Sequence, residues 1–221
     1  MKKEERYTKV LQWFRQNFQS VGTELNYNND FQLLVAVILS AQCTDKRVNI
    51  ITKKLFADFP DAFAMSQISQ DVIHEYIKSC TYPNSKSKYI SETAKAIVEK
   101  YEGKVPNNVK ELTKLSGVGR KTANVIVAVL YNQPKMPVDT HVFRVSERIG
   151  LTTNSKNVLQ TEKELEKNIP ALDIPDAHHW LILHGRYVCM ARTPKCEKCG
   201  IKDFCRYYSK KETITLSQNK I

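Results

Sequence analysis

Apolar residues recur at helical spacing along almost the whole chain. Tyr7, Val10, Leu11, Phe14 and Phe18 fall on one stripe near the N-terminus. Residues Phe31–Ala41 are apolar nearly all round, the pattern of a helix buried at the centre of a domain. Ile50, Ile51, Leu55, Phe56 and Phe59 form a third stripe, ended by Pro60. Val72, Ile73, Tyr76 and Ile77 follow Ser69, a good N-cap. Ile90, Ala94, Ile97, Val98 and Tyr101 make a fifth, stopped by Gly103. Val109, Leu112 and Leu115 predict a short sixth helix, and Thr122–Tyr131 a strongly apolar seventh. Later helices are predicted at Thr140–Ile149, Lys156–Asn168 and Ala177–Tyr187. No sustained alternation of period two is bounded by hairpin turns, so the predicted class is all-α. The proline-containing stretch Gln133–Val138 is the best internal boundary, and the polar tail beyond Lys211 is expected to fray.

Composition narrows the function classes. With 221 residues the chain is long enough for one or two domains. Only seven glycines and eight prolines argue against an all-β, collagenous or linker-like chain. The longest apolar runs, Leu33–Leu39 and Val125–Tyr131, are far short of the roughly 18–20 residues that a bilayer needs. The N-terminus MKKEERYTKV has basic residues but no apolar segment behind them, so no secretory signal is read and a cytoplasmic protein is expected. Lys and Arg number 34 against 23 Asp and Glu, a formal charge of +11. That balance favours an anionic partner, nucleic acid ahead of a membrane surface.

The segment Leu115-Ser116-Gly117-Val118-Gly119-Arg120-Lys121 joins two predicted helices. Its paired glycines permit positive φ and close approach of another backbone. The helix that follows starts at about Gly119, so its free N–H groups make an anion site suited to a DNA phosphate. An ordinary glycine-requiring αα-turn is the plainer reading. Lys121 sits in the first helical turn, where the helix dipole and the neighbouring Arg120 both oppose a cation. Both effects favour the amine form that a nucleophilic lysine needs, although a lysine simply contacting phosphate fits the same position. The helix rises about 1.5 Å per residue to Asn132, and the extended stretch after it spans about 3.3 Å per residue. Gln133–Val138 is therefore long enough to return Asp139 to the lysine end. Asp139 is also a natural N-cap for the helix beginning DTHVFRVSERIG, and the two roles are compatible.

Four of the six cysteines crowd into Cys189, Cys196, Cys199 and Cys205, with spacing C-x6-C-x2-C-x5-C. In a cytoplasmic chain this reads as a soft-metal site rather than disulfides. Neither the usual zinc-ribbon pattern nor the compact ferredoxin run is present. Sulfur count leaves structural zinc and an iron–sulfur cluster open. Cys43 and Cys80 read as ordinary free thiols. The MARTPK loop offers Arg192 and Lys195 to phosphates, contacts that fix register without reading sequence.

Taken together, LLVAVILSAQCTD, LSGVGRKTANVIV, VDTHVFRV, HHWLILHGRYVC and the cysteine pattern resemble the helix-hairpin-helix DNA glycosylase/AP lyase family, most closely its endonuclease III type, from about Thr23 to Tyr207. The resemblance implies a two-domain all-α fold: a helical barrel over 24–133, and an iron–sulfur cluster domain over 1–23 and 134–221. It implies a bifunctional enzyme that excises oxidised pyrimidines from duplex DNA and nicks the strand, working on damaged bases and abasic sites; nothing in the sequence suggests more than a monomer. Carried over by position, Lys121 is the nucleophile and Asp139 its carboxylate partner. Leu115, Gly117, Val118, Gly119 and Arg120 form the hairpin that holds the DNA backbone, and His141 lies beside the site. The four cysteines hold a [4Fe-4S] cluster. Gln42 matches a residue wedged into the gap left by the displaced base. A second wedge, commonly leucine in a Leu-Tyr-Asn-Ser-Lys stretch, reads Tyr82-Pro83-Asn84-Ser85-Lys86 here, so Tyr82 takes its place and puts the opposite-base preference in doubt. Ser116 replaces a usual proline and is expected to loosen the hairpin; Asp45 is read as a helix cap. Two rivals remain. A monofunctional adenine-removing relative would carry a carboxylate where Val35–Leu39 is apolar, and a non-catalytic DNA-binding module would carry zinc.

Overall fold

The computed structural model describes residues 1–18 and 21–218, and among them no strand occurs. The chain divides into two compact units, one of residues Met1–Gly22 with Pro134–Ile221, the other Thr23–Gln133.

The first unit holds α1 (Lys3–Asn17). The continuous unit follows with α2 (Asp30–Ser40), α3 (Asp45–Asp58), α4 (Ala62–Ser66), α5 (Gln70–Ile77), α6 (Pro83–Tyr101), α7 (Val109–Leu112) and α8 (Arg120–Tyr131). Every residue from Phe31 to Leu39 is buried, so α2 is the axis of this unit, packed by α3, α6 and α8. The buried polar residue of α2 itself is satisfied: Gln32 Nε2 donates to Pro60 O at 2.9 Å. Side chains cap most of these helices, as their sequences demand. Asn29, Thr44, Asp61, Ser69 and Asn108 each accept a backbone N–H of the turn they start. Thr44 thus takes the role expected of Asp45, which sits one residue inside α3 where a carboxylate favours the positive end of the dipole. Neighbouring positions lie about 100° apart on a helix, so at the edge of a buried stripe one of two adjacent residues turns outward. Ile51 is buried and Ile50 is exposed; on α5, Ile73 is buried and Val72 exposed. Gly103 ends α6 at φ +80, and a Cβ there would lie 2.4 Å from the Phe63 ring of α4.

The first unit resumes with α9 (Thr140–Ile149), α10 (Val158–Asn168), α11 (Ile174–Tyr187) and α12 (Arg206–Gln218). Its core joins Val10 and Phe14 of α1 to Val142 and Val145 of α9 and to Trp180 and Leu181 of α11. Phe14 stacks on Trp180 at 5.8 Å. The chain from Arg206 to Gln218 is helical where a frayed tail was expected, and residues 219–221 of that tail lie outside the described residues. No Gly or Pro interrupts it, and the Ser209 and Thr213 hydroxyls donate back to carbonyls one turn earlier.

Candidate functional site

In the continuous unit, the turn between α7 and α8 is anchored to α6. Gly117 adopts φ +73, and a Cβ there would sit 2.8 Å from the Tyr89 ring, so only glycine lets the turn lie against that side chain. Thr93 Oγ1 donates to Ser116 O at 2.9 Å, and Ser116 Oγ donates to Glu92 Oε2 at 2.6 Å. Ser116 therefore ties the turn to α6 instead of loosening it. Gly119 does not use the left-handed region: its φ is −84, and nothing lies within 4 Å of where a Cβ would be. The helix behind it starts with no side-chain cap and no acidic residue in its first turn, unlike the capped helices of the same unit. Its first N–H groups thus lack a side-chain acceptor of their own, the arrangement that receives an anion. Arg120 and Lys121 are exposed in that turn. Leu115 and Val118 are not surface residues. At 4% and 5% exposure their side chains belong to the core, leaving only backbone to face outward, and the Val118 N–H already donates to Leu115 O at 3.2 Å.

A second pair of exposed side chains stands in the same unit. Gln42, just past α2, and Tyr82, just before α6, both adopt the left-handed conformation, at φ +55 and +54. Neither is glycine, so each position is strained by on the order of 1 kcal/mol and is held by its surroundings. Tyr82 Oη lies 3.5 Å from Gln42 Oε1, and Thr81 Oγ1 donates to Gln42 O at 3.0 Å. Tyr82 is 61% exposed, an aromatic ring offered to solvent rather than to a core.

In the other unit, Asp139 caps α9. Its Oδ1 accepts from the N–H groups of His141 and Val142, each at 2.8 Å, while Oδ2 lies 3.3 Å from His141 Nδ1. The same helix supports the cysteine loop through two arginines that the sequence reading passed over. Arg144 Nη2 donates to Gly185 O at 3.0 Å. Arg148 donates to Met190 O and Ala191 O, both at 2.8 Å, and its Nη1 stands 3.7 Å from Cys189 Sγ. Their signal in the sequence was a pair of cations four residues apart on one helix. Arg192 and Lys195, on the loop that Arg148 holds, are exposed.

The four clustered cysteines are all free thiols that line one small apolar cavity, with His184, Ile201 and Tyr208 around them. Among the described residues, no three metal-binding side chains are placed to hold a single ion. Four sulfurs around an apolar space, with a guanidinium at their edge to balance negative charge, suit an iron–sulfur cluster. Burial raises the Cys196 and Cys205 thiols and pushes Cys199 up to about 11. Burial also lowers His184 to about 4, so the imidazole 3.7 Å from Cys199 Sγ stays neutral. Gly200 is needed here, since a Cβ would lie 2.3 Å from the Trp13 ring.

Comparison with known proteins agrees with both regions. Residues 35–171 match the HhH-GPD superfamily of base excision DNA repair proteins, and residues 189–205 match the iron–sulfur binding domain of endonuclease III. The cofactor is accordingly a [4Fe-4S] cluster. Endonuclease III of Rickettsia felis is 50% identical over 91% of this chain and 94% of its own. That of Escherichia coli K12 is 44% identical over 91% and 95%. A solved structure of a trapped endonuclease III–DNA covalent intermediate superimposes with a TM-score of 0.89, at 38% identity, covering 96% of this chain and all of that one. Among the described residues, no helix is long and apolar enough to cross a membrane. This chain belongs to the endonuclease III family, within the HhH-GPD superfamily of base excision DNA repair enzymes.

Proposed function

We infer that the enzyme excises oxidised pyrimidines from duplex DNA and then cuts the strand 3′ to the abasic site, with Lys121 as nucleophile. The observation that carries this reading is the place of Lys121: an exposed amine in the first turn of an uncapped helix, behind a turn pinned to α6. The α8 N–H groups and Arg120 hold a phosphate beside the lesion. The damaged nucleotide leaves the stack, at a cost of a few kcal/mol, and Gln42 and Tyr82 fill the gap.

The neutral Nζ of Lys121 attacks C1′ as the bond from C1′ to the damaged base breaks. Asp139 accepts the proton that Nζ releases and offsets positive charge developing on the sugar. Opening of the sugar ring, with O4′ taking up the proton held by Asp139, gives a protonated imine, which acidifies the proton on C2′. Removal of that proton expels the 3′ phosphate oxygen, and water then hydrolyses the imine to free Lys121. His141, against Asp139 Oδ2, orients the carboxylate.

In this reading residues 24–133 are the barrel domain with the hairpin, and 1–23 with 134–221 the cluster domain. Cys189, Cys196, Cys199 and Cys205 hold the cluster, whose part is structural and electrostatic. It fixes the loop from which Arg192 and Lys195 reach phosphates. The enzyme works as a monomer in the cytoplasm, on nucleoid DNA. The deciding experiment is borohydride trapping on a duplex with one oxidised pyrimidine, comparing wild type with Lys121→Gln. A covalent adduct that disappears in the variant is expected. Base release without any adduct would make the enzyme monofunctional, and binding without either would leave a DNA-binding module.

A further inference from the structure

Lys86 is a buried lysine that the mechanism above does not use. It projects from α6 with 4% exposure, among the core residues of the continuous unit. Its Nζ donates to Leu39 O at 2.8 Å, to Ala41 O at 2.6 Å and to Thr81 Oγ1 at 3.1 Å, and it touches Cys80 Sγ at 3.3 Å. An ammonium group has three protons, and the three oxygens take all of them.

These acceptors are not scattered. Leu39 and Ala41 carry carbonyls at the C-terminal end of α2, where backbone oxygens lack helical partners and the dipole is negative. The last turn of α2 has no basic residue of its own, so α6 supplies the cation. The third oxygen, on Thr81, donates its own hydrogen bond to Gln42 O at 3.0 Å. One buried amine therefore fixes the exit of the chain from α2 and, through one hydroxyl, the backbone of Gln42. Thr81 directly precedes Tyr82, and Lys86 lies in the first turn of the helix that Tyr82 opens. Gln42 and Tyr82 are the two exposed residues held at positive φ with their side chains 3.5 Å apart.

We propose that Lys86 is the positioning residue for the Gln42–Tyr82 wedge, clamping the two segments so that both side chains are presented to duplex DNA in one fixed arrangement before the damaged nucleotide is displaced. This rests on the reading of Gln42 and Tyr82 as the pair that fills the gap. A wedge held in place in advance avoids the cost of ordering two side chains and two loops during each encounter.

Duplex and single-stranded DNA separate this role from simple support of the fold. An abasic site in a single strand has no stack to fill, so its cleavage by Lys121 does not need the wedge. The experiment measures single-turnover cleavage of one abasic-site oligonucleotide, alone and in duplex, by wild type, Lys86→Met and a Gln42→Ala/Tyr82→Ala double variant. Lys86→Met should lower duplex cleavage roughly 10- to 100-fold while single-strand cleavage stays within about twofold. Added to the double variant, it should produce no further loss. Equal loss on both substrates would make Lys86 a structural residue only, and no loss on duplex would equally overturn the proposal. If Lys86→Met does not fold, Thr81→Val removes the bridging hydroxyl at an exposed position. It should lower the duplex-to-single-strand ratio a few-fold, and an unchanged ratio would reject the clamp. Wild type that cleaves neither substrate would instead overturn the functional reading on which the proposal stands.

Discussion

Asp139 places two backbone hydrogen bonds on one carboxylate oxygen, and neither bond requires a negative charge. Asparagine caps a helix about as well as aspartate, whereas alanine loses typically about 1 kcal/mol. Asp139→Asn should therefore unfold in urea within about 0.5 kcal/mol of wild type, while Asp139→Ala falls by about 1 kcal/mol. Both should lose roughly 10²- to 10⁴-fold in the rate of adduct formation, since proton acceptance needs the charge that the cap does not. An asparagine variant that traps at the wild-type rate would reduce Asp139 to its capping role. The site's residues differed in how openly the sequence displayed them. The position of Lys121 in the first turn of α8 was legible, because that helix start is a local pattern of glycines and apolar positions; its role remains proposed. Lys86 was not legible, because its acceptors on Leu39 and Ala41 lie 47 and 45 residues away, and no spacing rule links them.

At the scale of elements, α9 connects its cap, Asp139, to the cysteine loop. Arg148 holds the carbonyls of Met190 and Ala191 and reaches Cys189 Sγ, so it both shapes the loop and supplies positive charge beside that sulfur. Outer partners of metal ligands are worth roughly 10- to 100-fold in metal affinity. Arg148→Met should accordingly lose iron faster to a chelator by about that factor, with its helix content unchanged by circular dichroism. Iron retention equal to wild type would confine Arg148 to loop packing. Helices were the most legible elements, since α1 and α9 write their buried faces at a period of 3.6 residues. The short α4 escaped because five residues, Ala62–Ser66, hold too few turns to show a period; its place becomes clear only from Phe63 against Gly103. The helix over Arg206–Gln218 escaped for a different reason: its polar sequence gives no apolar stripe, and hydroxyl-to-carbonyl bonds carry no hydrophobic signature.

Across the whole molecule, charge is the property that composition conveyed directly. A chain of net charge +11 that contacts about five phosphates should bind duplex with a salt slope near −4.5. Raising salt from about 50 to 200 mM should then weaken binding roughly 500-fold, for undamaged and damaged DNA alike. A slope near zero, measured by fluorescence anisotropy, would mean that the basic surface faces something other than the DNA backbone. The cysteine cluster was equally legible, because all four sulfurs fall within one short stretch and chemistry limits what they can bind. The division of the chain was less so, since a unit assembled from both ends leaves no composition boundary at residue 22.

That assembly from both ends has a consequence for synthesis. Trp13 fits against Gly200, Arg6 Nε donates to Phe204 O, and Tyr7 Oη donates to Leu151 O. On a ribosome adding about 5–20 residues per second, α1 emerges roughly 10–40 s before the last of these partners exists. The continuous unit Thr23–Gln133 has all its own partners as soon as it leaves the exit tunnel. The nascent chain thus completes its middle first and carries Tyr7, Val10 and Phe14 uncovered until the segment beyond Gln133 follows. That waiting period is when the N-terminal helix is open to chaperones and proteases.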